Sequence, residues 1–143
     1  MSKIFKMKAL VLGGTKFLGY TLVNRLIKDD YDVTILNRGT RKGLFGNLVK
    51  ELHVDRTDRK KLFKSLSGKY FDVVFDISAY TPEETSSIIE VFKDTNTKRF
   101  VHCSTVAVYN KLISINSNDL KKINEDSERG GNNGSKNPFS TYG

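Results

Sequence analysis

A chain of 143 residues, 38% of them hydrophobic, is long enough for one globular domain with a buried core, which excludes a disordered protein. Its net charge of +8 comes mostly from dispersed lysines, which favours a solvated basic surface over a polyanion-binding patch. One cysteine, Cys103, excludes an internal disulfide, and no apolar run could cross a bilayer, so we expect a cytoplasmic protein without membrane contact. His53, His102 and Cys103 lack metal-ligand spacing, and we predict no metal site.

The first predicted elements are a buried strand and a helix joined by a glycine-rich turn. Residues 9–12 read Ala-Leu-Val-Leu, and the turn continues into a helical pattern. The first turn of such a helix offers unpaired N–H groups and a positive dipole end to a phosphate. The predicted pyrophosphate contacts are Gly13, Gly14, Thr15, Lys16, Phe17, Leu18 and Gly19. Lys16 stands where G-x-G-x-x-G has its middle glycine, so a tight turn without a ligand is the alternative.

The second predicted strand, over residues 31–36, leads into a basic turn. A strand, a helix and a strand in this order predict a right-handed parallel crossover. The strand is followed by Asn37-Arg38-Gly39-Thr40-Arg41-Lys42, where an NAD site usually has an acid for the ribose 2′-hydroxyl. Cations can hold a 2′-phosphate instead, which predicts NADP rather than NAD. The predicted contacts are Asn37, Arg38, Arg41 and Lys42, and a solvated basic turn is the alternative.

A third strand is predicted over residues 51–55, with Thr57 or Asp58 capping the next helix. Asp55, at the carboxyl end of this strand, would face the cofactor crevice, where an adenine amino group could donate to it. Asp55 and the neighbouring Arg56 are therefore candidate cofactor contacts. The alternative for Asp55 is a turn aspartate that precedes a helix.

The remaining pattern predicts a fourth strand over 71–77, a helix with Pro82 at its first position, and a fifth strand over 99–103. Strands that alternate with helices predict an α/β fold, a Rossmann-type open parallel sheet with helices on both faces. Residues 110–137 are rich in Asn, Ser, Lys and Gly, which predicts a surface loop. We therefore divide the chain into a core over 1–109 and a segment over 110–143.

Four stretches agree in order and spacing with one family. They are the glycine turn, residues 72–79, the Ser-Thr-Val-Ala-Val-Tyr stretch over 104–109, and the Pro-Phe-Ser-Thr-Tyr-Gly stretch over 138–143. The chain resembles the N-terminal portion of an extended short-chain dehydrogenase/reductase of the NAD(P)-dependent epimerase/dehydratase type.

The resemblance implies roles for particular residues. It implies that Ile77, Ser78 and Ala79 form the loop beneath the nicotinamide ribose, and that Thr105 and Tyr142 are the catalytic hydroxyl and tyrosine. The implied reaction is hydride transfer through NADP(H), on a nucleotide sugar or a related carbonyl or alcohol. The alternatives are a hydroxyl at a strand end for Thr105 and a frayed aromatic for Tyr142.

The chain departs from the family pattern at two places. Lys16 resembles a subgroup whose loop reads Gly-Gly-Thr-Arg/Lys-Phe-x-Gly, which includes plastid RNA-binding relatives and implies a second function class, a non-catalytic nucleotide- or RNA-binding protein. The family's catalytic lysine would fall beyond Gly143, so we expect little or no turnover from this chain alone. Uncovered apolar surface on an incomplete sheet could also bring two copies together as a homodimer.

Overall fold

The structure, a computed structural model, describes residues 5–104. Residues 5–79 and residues 83–103 form one compact unit. Residues 80–82 and 104 belong to a second unit, the rest of which is outside the described range. The elements are β1 (Lys8–Leu12), α1 (Phe17–Lys28), β2 (Asp32–Asn37), a short 3-10 helix (Gly46–Leu48), β3 (Val49–His53), α2 (Arg59–Leu66), β4 (Val73–Asp76), α3 (Pro82–Phe92) and β5 (Arg99–His102). Thr105, Tyr142 and the predicted loop lie outside the described residues.

The five strands form one sheet in the order β3-β2-β1-β4-β5, and every neighbouring pair is parallel. β1 is the central strand, where Val11 lies between Ile35 of β2 and Phe75 of β4. β2 and β3 lie on one side of β1, and β4 and β5 lie on the other side. The strand order therefore reverses between β1 and β4. Open α/β sheets bind ligands outside the carboxyl ends of the strands at such a reversal. The predicted Rossmann-type sheet is confirmed.

Two apolar layers cover the two faces of the sheet. On β1, Ala9 and Val11 point to one face and Leu10 and Leu12 to the other, because side chains alternate along a strand. The first layer includes Val23 and Leu26 of α1, and the second is filled by Leu62, Leu66, Ile88 and Phe92 of α2 and α3. Helices therefore cover both faces, which explains why β1 is apolar from Ala9 to Leu12.

The third strand is shifted from its prediction. It runs from Val49 to His53 and not over 51–55, because the buried Val49 pairs with Val33 while Asp55 already forms a turn. In that turn the N–H of Asp58 donates to the carbonyl of Asp55. Asp58 caps α2 by accepting from the N–H of Lys61. Between residues 5 and 104, no helix is both long and apolar enough to cross a membrane.

Candidate functional site

The glycine turn joins β1 to α1 at the carboxyl edge of the sheet, and close packing requires its glycines. Gly13 has a φ of +90°, and a Cβ there would lie 2.6 Å from the Cβ of Ser78. A Cβ on Gly19 would lie 2.1 Å from the carbonyl oxygen of Gly13. Only glycine at these positions lets α1 approach the end of β1 so closely. This packing holds with or without a ligand, so these glycines are explained by the fold alone.

The first turn of α1 is electrostatically open. Lys16 is its N-cap residue, and in the described part of the chain its side chain makes no capping hydrogen bond. The turn carries no acidic residue. Phe17, the first helical residue, has a φ of +41° and a side chain that is 90% exposed. Without a side-chain cap or an acid in this turn, its helical N–H groups and the positive end of the helix dipole suit an anion such as a phosphate.

A cavity of about 440 Å³ lies between this helix start and the basic turn after β2. Its cations are Lys16 and Arg41, and across residues 5–104 neither forms an ion pair. The other lining residues are Thr15, Phe17, Tyr20, Thr21 and Leu44. The structure thus brings together predicted contacts from two separate segments, Thr15, Lys16 and Phe17 from the glycine turn and Arg41 from the basic turn. Asn37, Arg38 and Lys42 do not line the cavity.

Asp55 forms hydrogen bonds with Thr57 and is close enough to the basic turn to interact with the charge of Arg38. Its Oδ1 accepts from the N–H of Thr57 at 2.9 Å and from the Thr57 hydroxyl at 2.7 Å. These hydrogen bonds, with a smaller contribution from the positive charge of Arg38, hold the pKa of the Asp55 carboxyl below its ordinary value. Asp55 is therefore a turn aspartate before a helix, the alternative that the sequence left open. Because its pKa is lowered, its carboxylate is ionised at neutral pH.

Arg56 forms a buried ion pair. Its guanidinium donates to Asp76 through Nη1 at 2.6 Å and through Nη2 at 3.0 Å, and Nη1 also reaches the hydroxyl of Ser78 at 3.1 Å. Asp76 has no exposed surface, and the side chain of Arg56 is 10% exposed. Arg56 was predicted as a cofactor contact, but in the structure its terminal nitrogens donate to Asp76 and Ser78.

Sequence reasoning did not single out Asp76. The available signal was one carboxylate within the apolar run of β4, where a charge needs a partner. The sequence does not show that the partner lies twenty residues away, at Arg56.

The segment after β4 lies against the glycine turn. The N–H of Ile77 donates to the carbonyl of Leu12. A Cβ on Gly19 would lie 2.8 Å from Cδ1 of Ile77, so this side chain packs on the glycine. Ser78 packs on Gly13 from the same segment. Ile77, Ser78 and Ala79 are half-buried at this edge. The predicted nicotinamide-ribose segment and the predicted pyrophosphate turn are therefore direct neighbours.

The sequence and the fold can be compared with known proteins. The profile of the NAD dependent epimerase/dehydratase family matches residues 9–142. A chloroplast stem-loop binding protein of 41 kDa from Arabidopsis thaliana is 33% identical over 73% of this chain and 30% of its own length. A UDP-glucose 4-epimerase from Lactobacillus helveticus is 29% identical over 82% of this chain and 42% of its own length.

Solved structures share the fold. The Bordetella bronchiseptica enzyme WbmG, crystallised in complex with NAD, superposes with a TM-score of 0.67 at 12% identity, over 80% of this chain and 42% of that one. The chain therefore spans less than half the length of these relatives. With a family match over nearly all of its residues and a parallel five-stranded sheet, the chain belongs to the NAD dependent epimerase/dehydratase family.

Proposed function

We propose that this chain is the cofactor-binding portion of an epimerase/dehydratase-type enzyme, that it binds a nicotinamide dinucleotide, and that it prefers NADP(H) to NAD(H). The observation that carries the proposal is the cavity lined by Lys16 and Arg41 beside the uncapped start of α1. Family membership supports the dinucleotide, the open helix start beside Lys16 supports its pyrophosphate, and Arg41 supports the extra phosphate.

The proposed roles follow from where each residue lies. The turn from Gly13 to Gly19, including Leu18, holds the pyrophosphate through the open helix start. Arg41, with Arg38 and Lys42 from the same basic turn, attracts the 2′-phosphate. An adenosine carrying a 2′-phosphate is more negative than one carrying a 2′-hydroxyl, and charge-assisted hydrogen bonds from arginine are strong. Asp55 accepts from the adenine, and residues 77–79 support the nicotinamide ribose.

The proposed reaction belongs to the whole protein. The bound dinucleotide would supply or accept a hydride, and the relative named as a UDP-glucose 4-epimerase supports a nucleotide sugar as the substrate class. Thr105 and Tyr142 are proposed as the hydroxyl that binds the reacting oxygen and the tyrosine that moves its proton, a role that needs a nearby cation to lower the tyrosine pKa. A cytoplasmic location and a homodimer stay predictions from the sequence.

The test is a titration of the chain with NADPH and NADH, followed by nicotinamide fluorescence at fixed ionic strength. We expect tighter binding of NADPH, and we expect Arg41→Ala to weaken it by about tenfold to a hundredfold, the range for one lost charge-assisted hydrogen bond. Arg25→Ala is the matched control, because Arg25 is an exposed α1 residue paired with Asp29. Equal affinities for the two cofactors would contradict the NADP preference.

A second candidate function is nucleotide or RNA binding without catalysis. The 33% identical stem-loop binding relative and the glycine loop that carries Lys16 favour it. It becomes the better explanation if neither dinucleotide binds while a stem-loop RNA does, with an affinity that falls steeply as salt increases. Binding of NADPH together with no RNA affinity at low salt would contradict RNA binding as the function.

A further inference from the structure

The basic turn after β2 is held at both of its ends. Gly39 has a φ of +80° and Gly43 a φ of +67°, so the turn begins and ends at left-handed glycines. The N–H of Gly39 donates to Oδ1 of Asn37 at 2.6 Å. The N–H of Gly43 donates to Oε1 of Glu51 at 3.0 Å. Glu51 lies on β3, so the neighbouring strand fixes the far end of the turn.

His53 completes the anchor from the same face of β3. It lies two residues after Glu51, and its Nε2 is 2.7 Å from Oε2 of Glu51. A Cβ on Gly39 would lie 3.2 Å from Cγ of His53, so the imidazole packs directly against the near end of the turn. Glu51 thus contacts one glycine, His53 contacts the other, and the two side chains contact each other.

The contacts of Glu51 are informative because of its surroundings. Its side chain is only 14% exposed, although the adjacent turn carries Arg38, Arg41 and Lys42. A carboxylate close to such a turn could pair with its cations, yet the two oxygens of Glu51 are used by the N–H of Gly43 and by His53. Within residues 5–104, Arg41 is left without an ion pair and lines the cavity.

We propose that Glu51 and His53 are positioning residues that hold the basic turn so that Arg41 faces the cavity, and that they thereby set the preference for NADPH over NADH. This inference rests on the proposed function. A turn flanked by two glycines has many conformations, and ordering it only when a ligand binds would cost affinity. Because the extra phosphate is the only difference between the cofactors, a displaced turn should weaken NADPH and leave NADH unaffected.

The experiment compares NADPH and NADH affinities in Glu51→Ala. If Glu51 positions the basic turn, NADPH binding should weaken by about tenfold, because Arg41 no longer reaches the extra phosphate. NADH binding should stay within about twofold. Simple Coulomb attraction predicts the opposite sign, because removing a negative charge near the cavity should strengthen the binding of a phosphate. Glu51→Gln keeps an oxygen that can accept from Gly43, so it should retain most of the preference.

Two further variants complete the test. Glu90→Ala is the matched control, since it removes the same charge from an exposed residue of α3 that pairs with Arg59. His53→Ala leaves the contact between Glu51 and Gly43 in place and should reduce the preference in the same direction, even where Glu51→Ala fails to fold. A preference that survives in both Glu51→Ala and His53→Ala overturns this inference alone. Equal affinities in the unaltered chain overturn the proposed NADP preference as well.

Discussion

The buried carboxylate of Asp76 determines the role of Arg56, because it needs a cationic partner. Removing a carboxylate from water is costly, and Asp76 has no exposed surface. The guanidinium of Arg56 meets it with two nearly parallel hydrogen bonds, the geometry that arginine provides and lysine does not. The same guanidinium donates to Ser78, which packs on Gly13. The pair therefore connects the segment after β3, the end of β4 and the glycine turn.

Single substitutions in this pair should be more harmful than the double substitution. We expect Arg56→Met or Asp76→Leu each to lower the free energy of unfolding by about 3–5 kcal/mol, because each leaves a buried charge or a cation without its partner. The double variant should cost much less than the sum, since it removes both charges of the buried pair together. Urea unfolding of the four proteins checks this, and additive losses would show that the two side chains are not coupled.

Residues whose role depends on neighbours in sequence could be predicted, and residues with distant partners could not. The basic turn after β2 and the cap at Asp58 were visible in the sequence because turn and cap chemistry is local. Arg56 could only be described as a neighbour of Asp55, because its partner is twenty residues away. Glu51 was missed for the same reason, since its contact with Gly43 depends on β3 lying beside β2.

At the scale of the elements, the candidate site is built on β1, the glycine turn and α1. The hydrophobic period of the helix and the apolar run before it predicted both elements. Their distance of approach was not predictable, because it is set by Gly19 packing on the carbonyl of Gly13. The bounds of β3 were misplaced, since the turn at Asp55 ends the strand earlier than its residue composition suggests.

Gly19→Ala tests this approach directly. Alanine favours helices more than glycine does, so propensity alone predicts a gain of about 1 kcal/mol. We expect a loss of about 1–3 kcal/mol, because the new methyl group would overlap the Gly13 carbonyl and displace α1 from the sheet. Thermal unfolding measures the sign. Asn24→Ala, an exposed substitution in the same helix, should change stability by no more than about 0.5 kcal/mol; a gain in Gly19→Ala would contradict the packing.

At the scale of the whole molecule, Asp72 ties the amino ends of three strands together. Its Oδ2 accepts from the N–H of Lys8 at the start of β1, and its Oδ1 accepts from the hydroxyl of Tyr70. Its carbonyl oxygen accepts from the N–H groups of Lys98 and Arg99 at the start of β5. The hydrogen bond from Lys8, then that from Tyr70, and to a smaller extent the charges of Lys98 and Lys8 hold the pKa of Asp72 below its ordinary value.

This lowered pKa gives a pH dependence with a definite sign. A carboxylate that titrates lower in the folded than in the unfolded chain adds stability above the ordinary value of 3.8 and loses it as the pH falls below that value. Asp55 and Asp58 contribute in the same direction, through backbone hydrogen bonds from Thr57 and Lys61. The pKa of Tyr70 is raised, so its contribution is present below its ordinary value of 10.0 and is lost as the pH rises beyond it.

We therefore expect Asp72→Asn to be less stable than the unaltered chain at neutral pH, and to lose less stability on acidification. Urea midpoints measured at neutral pH and below pH 3.8 check the difference. Asp94→Asn provides a control, because Asp94 is an exposed acid that follows α3. An identical acid response in Asp72→Asn and the unaltered chain would show that Asp72 is not responsible.

The central position of β1 also has a consequence for how the chain folds. β1 precedes its second partner by more than sixty residues, as the contact between Lys8 and Asp72 shows with its separation of 64 positions. During synthesis the most apolar strand of the sheet is therefore made well before β4, and one of its edges stays unpaired until β4 has emerged. Pairings between such distant segments are slow to form, and the open edge can meanwhile pair with another chain. The same strand that anchors the mature sheet is thus the segment that most needs protection while the protein is being made.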